Sequence, residues 1–296
     1  MALFFDLSSR IKLQVSGADS ERFLNGQITN DIRKATDQTA IAACVLTNKG
    51  KLNAHVFCTR EQSAFLIDAD TLLRESLLPR LERYIIADDV QIDDITDRFA
   101  LFHSLGRPSF TMDDQHQVRS AWRFGEEGCD IWVRVRQREE LQQRLSEQFE
   151  FCDEKRAERL RIERGIPAWG HELTDQIIPI EANLESTTID YDKGCYIGQE
   201  VISRMKMSGQ TNKRLCGLTG DRLEAGTKLF GGQTDLKEVG WVTSATNSPT
   251  GGRLGLGFVR RGYNSPGTRL MAPETGSEIE TVHLPFSLTN RLESGS

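Results

Sequence analysis

From about residue 208 the chain is cut into short pieces by glycine: Gly209, Gly217, Gly220, Gly226, Gly231, Gly232, Gly240, Gly251, Gly252, Gly255, Gly257, Gly262 and Gly267. Between them lie short apolar runs at Arg214–Leu218, Lys228–Phe230, Val239–Ser244, Leu254–Val259, Arg269–Met271 and Ile279–Val282. Pieces so short leave little room for helices, so the pattern predicts a small closed or nearly closed β-barrel over 208–290, followed by a disordered tail at 291–296. A chain of 296 residues exceeds one ordinary core, so residues 1–207 must form something separate.

That first part mixes the two periods. Ile11–Val15 alternates and predicts a strand, and Ser16-Gly17-Ala18-Asp19-Ser20 supplies turn and cap residues for a helix carrying Phe23 and Leu24. Strands are expected at 40–46 and 52–59, joined by a hairpin turn at Thr47-Asn48-Lys49-Gly50. Phe65–Ile67 then leads into a helix with Leu73, Leu77, Leu81 and Tyr84 on one stripe, where Pro79 predicts a kink or a break, before a return through Val90–Ile95. Ile131–Val135 and a helix with Leu141, Leu145 and Phe149 repeat that order, and a charged helix over 153–165 stops at Gly165 with Pro167 just beyond. The expectation is an α+β arrangement of two lobes, the first mainly 1–95 and the second mainly 96–207.

Several function classes lose support. A net charge of −6 argues against general nucleic-acid binding, although Arg204, Lys206, Lys213 and Arg214 form a basic cluster suited to a small anion or simply to solvent. No apolar run approaches the roughly 18 residues of a membrane span, and the N-terminus lacks the pattern of a signal peptide, so a cytoplasmic location is expected. The six cysteines form no C-x-x-C pair and do not cluster with the five histidines, so neither a structural zinc nor a housed iron–sulfur cluster is indicated. Neither nucleotide-cradling glycine motif occurs.

One stretch carries chemistry. Lys193-Gly194-Cys195-Tyr196-Ile197-Gly198-Gln199-Glu200 sets a cysteine between two glycines, beside a lysine and ahead of an expected helix. Gly194 and Gly198 suggest a shaped turn presenting Cys195, and both the Lys193 ammonium and the helix start would favour thiolate over thiol. The alternative is a small apolar side chain packed in a tight turn.

This octapeptide resembles the K-G-C-Y-x-G-Q-E signature of the YgfZ-type folate-binding proteins, relatives of the T-protein (aminomethyltransferase) of the glycine cleavage system. Phe23-Leu24-Asn25-Gly26-Gln27-Ile28-Thr29-Asn30-Asp31, Leu46–Lys51, Arg161–Pro167, Asn212–Leu215 and Leu284-Pro285-Phe286 agree with it. The resemblance implies a three-lobed ring of two partly interleaved, ferredoxin-like α+β lobes and the barrel, with tetrahydrofolate or a one-carbon derivative in the central opening. It implies help with iron–sulfur cluster assembly or repair, and through it support of tRNA-modifying enzymes, with iron–sulfur proteins or assembly factors as partners and no direct nucleic acid or membrane. Cys195 and Lys193 would be the chemical residues, Gly194, Tyr196, Gly198, Gln199 and Glu200 the loop around them. Glu181 would hold the pterin ring and Arg204 the glutamate tail.

Three alternatives compete. A true aminomethyltransferase carries a carboxylate where this chain has Leu52-Asn53-Ala54-His55, and asparagine neither takes up a proton nor holds negative charge. A folate-binding scaffold would leave Cys195 idle. A cysteine hydrolase would need a histidine near Cys195, with His171 the nearest in sequence.

Overall fold

The first two strands, β1 (Leu3–Asp6) and β2 (Ile11–Ser16), are neighbours in sequence yet enter different sheets, which is the physical form of the expected interleaving. The computed structural model describes residues 2–109, 117–232, 236–248 and 251–286, so the expected tail at 291–296 lies outside the described residues. Two units divide the chain: Met1–Glu154 with Leu184–Arg204, and Lys155–Asn183 with Met205–Ser296.

In the first unit β2 buries Ile11, Leu13 and Val15, and α1 (Ser20–Gln27) buries Phe23 and Leu24. The hairpin β3 (Ile41–Leu46) and β4 (Leu52–Glu61) turns at Thr47–Gly50, with the Gly50 amide donating to the Thr47 carbonyl at 2.9 Å. Next come β5 (Ala64–Ala69), α2 (Arg74–Glu82) and β6 (Gln91–Asp94), which complete an antiparallel sheet in the order β3-β4-β5-β2-β6. Pro79 does not end α2. The carbonyl that would have used its missing N–H belongs to Glu75, an exposed residue within reach of water, while Leu77 and Leu81 stay buried.

β7 (Phe99–Ser104), β8 (Gln117–Trp122), β9 (Glu127–Arg134), α3 (Arg138–Ser146) and β10 (Glu150–Phe151) follow. With β1 they make a second sheet, β10-β1-β7-β9-β8, in which the β1–β10 pair is parallel. The echo seen in sequence is structural: each lobe runs strand, one 3₁₀ turn, then a nine-residue helix, and Leu141 and Leu145 are buried as Leu77 and Leu81 are.

A buried charge cluster bridges the two sheets. Arg123 donates to Asp68 of β5 (2.6 and 3.1 Å) and to Asp130 of β9 (2.6 and 2.7 Å), with its guanidinium 3.8 Å from the Phe57 ring centre. Arg10 also binds Asp68, and His103 Nδ1 lies 2.8 Å from Asp130. Burial alone would raise both carboxyls, but the Arg123 charge, aided at Asp68 by Arg10 and at Asp130 by the His103 hydrogen bond, holds them below the usual range.

The second unit begins with α4 (Glu154–Glu163), which ends where Gly165 takes φ +70° and the Ile166 amide donates to the Arg161 carbonyl at 2.8 Å. The first unit adds α5 (Glu185–Thr188), and α6 (Gln199–Ser208) follows. Then β11 (Lys213–Gly220), β12 (Lys228–Gly231), β13 (Lys237–Asn247), β14 (Arg253–Arg260), β15 (Arg269–Ala272) and β16 (Ser277–Val282) close into a barrel in the order β11-β14-β13-β12-β15-β16. Leu218, Leu229, Val242, Leu270 and Ile279 belong to one buried cluster. Some glycines that punctuate the sequence lie inside strands instead of between them: a Cβ at Gly257 would stand 2.5 Å from the Trp241 carbonyl oxygen. The fold class is α+β with a C-terminal barrel, as expected.

Glu172 holds this unit together from inside. Its carboxylate accepts from Thr243 Oγ1 and Ser244 Oγ (both 2.6 Å), Arg161 Nη1 (2.9 Å) and the Ala168 amide (3.0 Å), tying α4 and the 168–172 turn to β13.

Asp68 and Asp130 have lowered folded pKa values, so their stabilisation is complete above the unfolded carboxylate range near 4 and is lost as pH falls through the folded values. Arg123→Ala leaves buried Asp68 with Arg10 alone and buried Asp130 with His103 alone, and is expected to cost about 3–5 kcal/mol at pH 7 and to flatten the acid limb of the stability curve. Urea unfolding between pH 2 and 7 checks this, and an unchanged midpoint and acid limb would refute it.

Candidate functional site

The three stretches 23–31, 46–51 and 193–200 are far apart in sequence and meet in the first unit. Lys193 Nζ donates to the carbonyls of Asn25, Ile28 and Asn30, each at 2.7 Å. These carbonyls lie at and just past the C-terminus of α1, where backbone acceptors lack helical donors and the partial charge is negative. All three donors of the ammonium are thereby used, which gives Lys193 a structural task whatever it does for the neighbouring thiol. Burial lowers its pKa to about 8 despite the attraction of Asp31 and Asp190. The Ile197 amide adds a bond to the Gly26 carbonyl at 3.2 Å.

The other end of the loop is fixed by close backbone approach. Gly198 takes φ +87°, and a Cβ there would stand 2.6 Å from the Thr47 carbonyl oxygen. Gly50, at φ +73°, leaves room for Val201, whose Cβ would lie 2.9 Å from an added Cβ. The two glycines let the hairpin turn and the start of α6 touch. Gly194 is different: its φ is not positive, and nothing stands within 4 Å of an added Cβ.

Between these anchors Cys195 is exposed, whereas Cys44, Cys58, Cys129, Cys152 and Cys216 are buried. Burial pushes the Cys44 thiol up to about 12. Tyr196 is buried with its ring centre 5.2 Å from Lys193 Nζ, and its hydroxyl has no partner among the described residues. Gln199 opens α6, its amide donating to the Tyr196 carbonyl at 3.2 Å. Glu200 and Arg204 pair at 2.6 Å one turn apart, both exposed, a geometry that contributes little to stability. Among the described residues no three histidine, cysteine or carboxylate side chains are grouped to hold a metal ion.

Sequence reasoning missed Arg80. Its guanidinium donates to Asn53 Oδ1 (3.1 Å), Gln27 Oε1 (3.0 Å) and the Leu46 carbonyl (2.8 Å) and lies 4.2 Å from the Tyr84 ring centre. Asn53 therefore faces a cation through a neutral oxygen. The only sequence signal was a charged residue one turn before the end of a helix stripe, which ordinarily means a solvated face.

In the second unit Glu181, within the 3₁₀ turn Pro179–Ala182, is buried. Its Oε2 accepts the Ile178 amide at 3.2 Å and lies 3.1 Å from Lys213 Nζ. Arg214 donates to Asn183 Oδ1 at 2.7 Å, so the two basic residues that open β11 both reach back to 179–183. His171 is exposed beside the buried Glu172.

Comparison with known proteins agrees with this architecture. Residues 1–109 match the GCVT N-terminal domain, and residues 213–286 match the glycine cleavage T-protein C-terminal barrel domain. The chain belongs to the glycine cleavage T-protein family. Within this family it is of the YgfZ type. It is similar to an aminomethyltransferase of Rubrobacter xylanophilus, 27% identical over 95% of this chain and 82% of the relative. A mitochondrial iron–sulfur cluster assembly factor IBA57 homolog of Dictyostelium discoideum is 25% identical over 71% of this chain and 60% of its own. An uncharacterized protein of Haemophilus influenzae is 27% identical over 98% and 100%. The crystal structure of the glycine cleavage system aminomethyltransferase T of Bartonella henselae superposes with a TM-score of 0.83 at 18% identity, over 97% of this chain and 86% of that one, and shares the T-protein fold.

The two glycines of the octapeptide should respond differently to a methyl group. Gly198→Ala is expected to destabilise the protein by at least about 1–3 kcal/mol through strained backbone and the clash with Thr47, while Gly194→Ala should stay within about 0.5 kcal/mol of wild type. Equal shifts in thermal melts of the two variants would contradict this assignment of the loop.

Proposed function

We propose that this T-protein relative is a folate-binding accessory factor for iron–sulfur cluster assembly or repair, with Cys195 as its working thiol. The observation that carries the reading is the exposure of Cys195 on a loop fastened at both ends, by Lys193 to the end of α1 and by Gly198 to the hairpin turn. A side chain that was merely filling a turn would be covered, as the other five cysteines are. An accessible thiol can ligate iron transiently or undergo reversible oxidation. The relative named as an iron–sulfur cluster assembly factor supports this reading. Partners would then be iron–sulfur proteins or assembly factors, with tRNA-modifying enzymes among the beneficiaries.

Folate recognition rests on Glu181, whose Oε1 accepts no hydrogen bond among the described residues and suits the paired N–H donors of a pterin edge. Arg204, exposed and paired only one turn away with Glu200, suits the glutamate tail. Tetrahydrofolate or a one-carbon derivative would supply a one-carbon carrier or a reducing heterocycle when bound.

Aminomethyl transfer is the second reading, favoured by relatives that carry that name. Against it stands Asn53, a neutral side chain accepting from Arg80 where the transferase needs a carboxylate. The chain incubated with tetrahydrofolate and aminomethyl-loaded lipoyl carrier should release ammonia no faster than a protein-free control; clear turnover would restore the transferase reading.

Cys195→Ser should fold and bind folate as wild type does, yet fail to restore iron–sulfur enzyme activity in cells lacking the native protein. In the wild type Cys195 should be alkylated first of the six thiols. Full restoration by the serine variant, or slowest alkylation at Cys195, would leave the thiol without a chemical role. Saturating tetrahydrofolate, at about a hundred times its dissociation constant, should stabilise the protein by roughly 2.7 kcal/mol, and the absence of any melt shift or calorimetric signal would remove folate from the proposal.

A further inference from the structure

The Glu181 carboxylate is only 6% exposed, and both groups that address it fall on the same oxygen: the Ile178 amide and Lys213 Nζ on Oε2. Lys213 is itself confined. Its Nζ lies 5.8 Å from the Phe258 ring centre and 6.0 Å from that of Trp241, and these two rings pack against each other at 5.4 Å. Electron-rich ring faces on one side and a carboxylate on the other hold the ammonium in place. Its backbone, paired with Arg260 in the barrel, fixes the stem. Glu181 and Lys213 thus form a neutral pair. What the pair offers at Oε1 is a strong hydrogen-bond acceptor with its charge already compensated.

We propose that Lys213 makes Glu181 selective for a neutral ring edge of the 2-amino-4-oxo type over a protonated 2,4-diamino edge. This inference rests on the reading of Glu181 as the folate contact. A lone buried carboxylate favours a cation, so a 2,4-diaminopteridine gains affinity there by taking a proton on ring N1 and binding as an ion pair. With an ammonium already 3.1 Å from the same carboxylate, a second positive charge meets repulsion that offsets part of its attraction to the carboxylate. A 2-amino-4-oxo edge donates from N3 and the 2-amino group with no change of protonation and incurs neither cost.

Folic acid and aminopterin differ only in the oxo or amino group at ring position 4 and therefore isolate this choice. Both are titrated by calorimetry into the full chain and its Lys213→Met and Lys213→Arg variants across pH 6–9. Wild type and Lys213→Arg should prefer folic acid, with no proton taken up on binding either ligand. Lys213→Met should move the preference toward aminopterin by at least about tenfold, and its aminopterin affinity should fall about tenfold per pH unit once the free ligand is deprotonated. Thermal melts of the ligand-free variants establish that each is folded. An unchanged ratio in folded Lys213→Met, with both ligands bound and both weakened by Glu181→Gln, overturns the role of Lys213 and leaves the folate contact standing. Binding of neither ligand to wild type, or binding indifferent to Glu181→Gln, overturns the folate contact and this inference with it.

Discussion

A single ammonium group organises the candidate site. Lys193 Nζ joins three carbonyls around the end of α1 across more than a hundred and sixty residues of sequence, and the loop bearing Cys195 is positioned because that contact exists. Helix C-termini need donors for their last carbonyls, and a lysine supplies three at once. The cost is desolvation of the ammonium, visible in its lowered pKa, and neighbouring Asp31 and Asp190 offset part of it. The far end of the loop is held without any charge, by two glycines whose missing side chains let backbones touch. Between a polar clasp and a steric one, the intervening Cys195 is presented to solvent on a fixed frame.

The same logic of buried charge matched by designated partners recurs in both units. Arg123 serves two carboxylates from two sheets in one unit, and Glu172 gathers two hydroxyls, a guanidinium and an amide in the other. Loss of Arg123 or Arg161 would strip its cluster of its central cation, so both clusters specify geometry as much as they add stability. Arg80 departs from this pattern. Its three acceptors are neutral, and Asn53 is one of them, so a half-buried cation is met here by uncharged hydrogen-bond acceptors. The environment of Asn53 is thus tuned for holding α2 to the hairpin.

Much of this protein was legible in its sequence, for identifiable reasons. Strand alternation at Ile11–Val15, the Thr47–Gly50 turn, the Gly165 helix stop and the repeated strand–helix order at 65–82 and 131–146 are local, and local periodicity and turn chemistry decide them. The barrel was legible as a texture of short apolar runs, although Gly257 and its kind proved to be places of close strand approach within strands. Pro79 was read as a kink or break and does not end its helix, because its unsatisfied carbonyl sits on a wet surface and propensity yields to packing.

The site divides along the same line. Sequence alone determined that Cys195 lies between two glycines beside Lys193, and that the chain carries the motifs of a T-protein relative with a neutral asparagine at position 53. Only the tertiary structure decided that Lys193 turns to the end of α1, that Gly198 is sterically required and Gly194 is not, that Cys195 alone among the cysteines is exposed, and that Glu181 is buried against Lys213. These are properties of pairs of residues far apart in the chain. Periodicity and propensity report on neighbours in sequence, whereas burial and hydrogen bonding are settled by which distant segments the fold brings within a few ångströms.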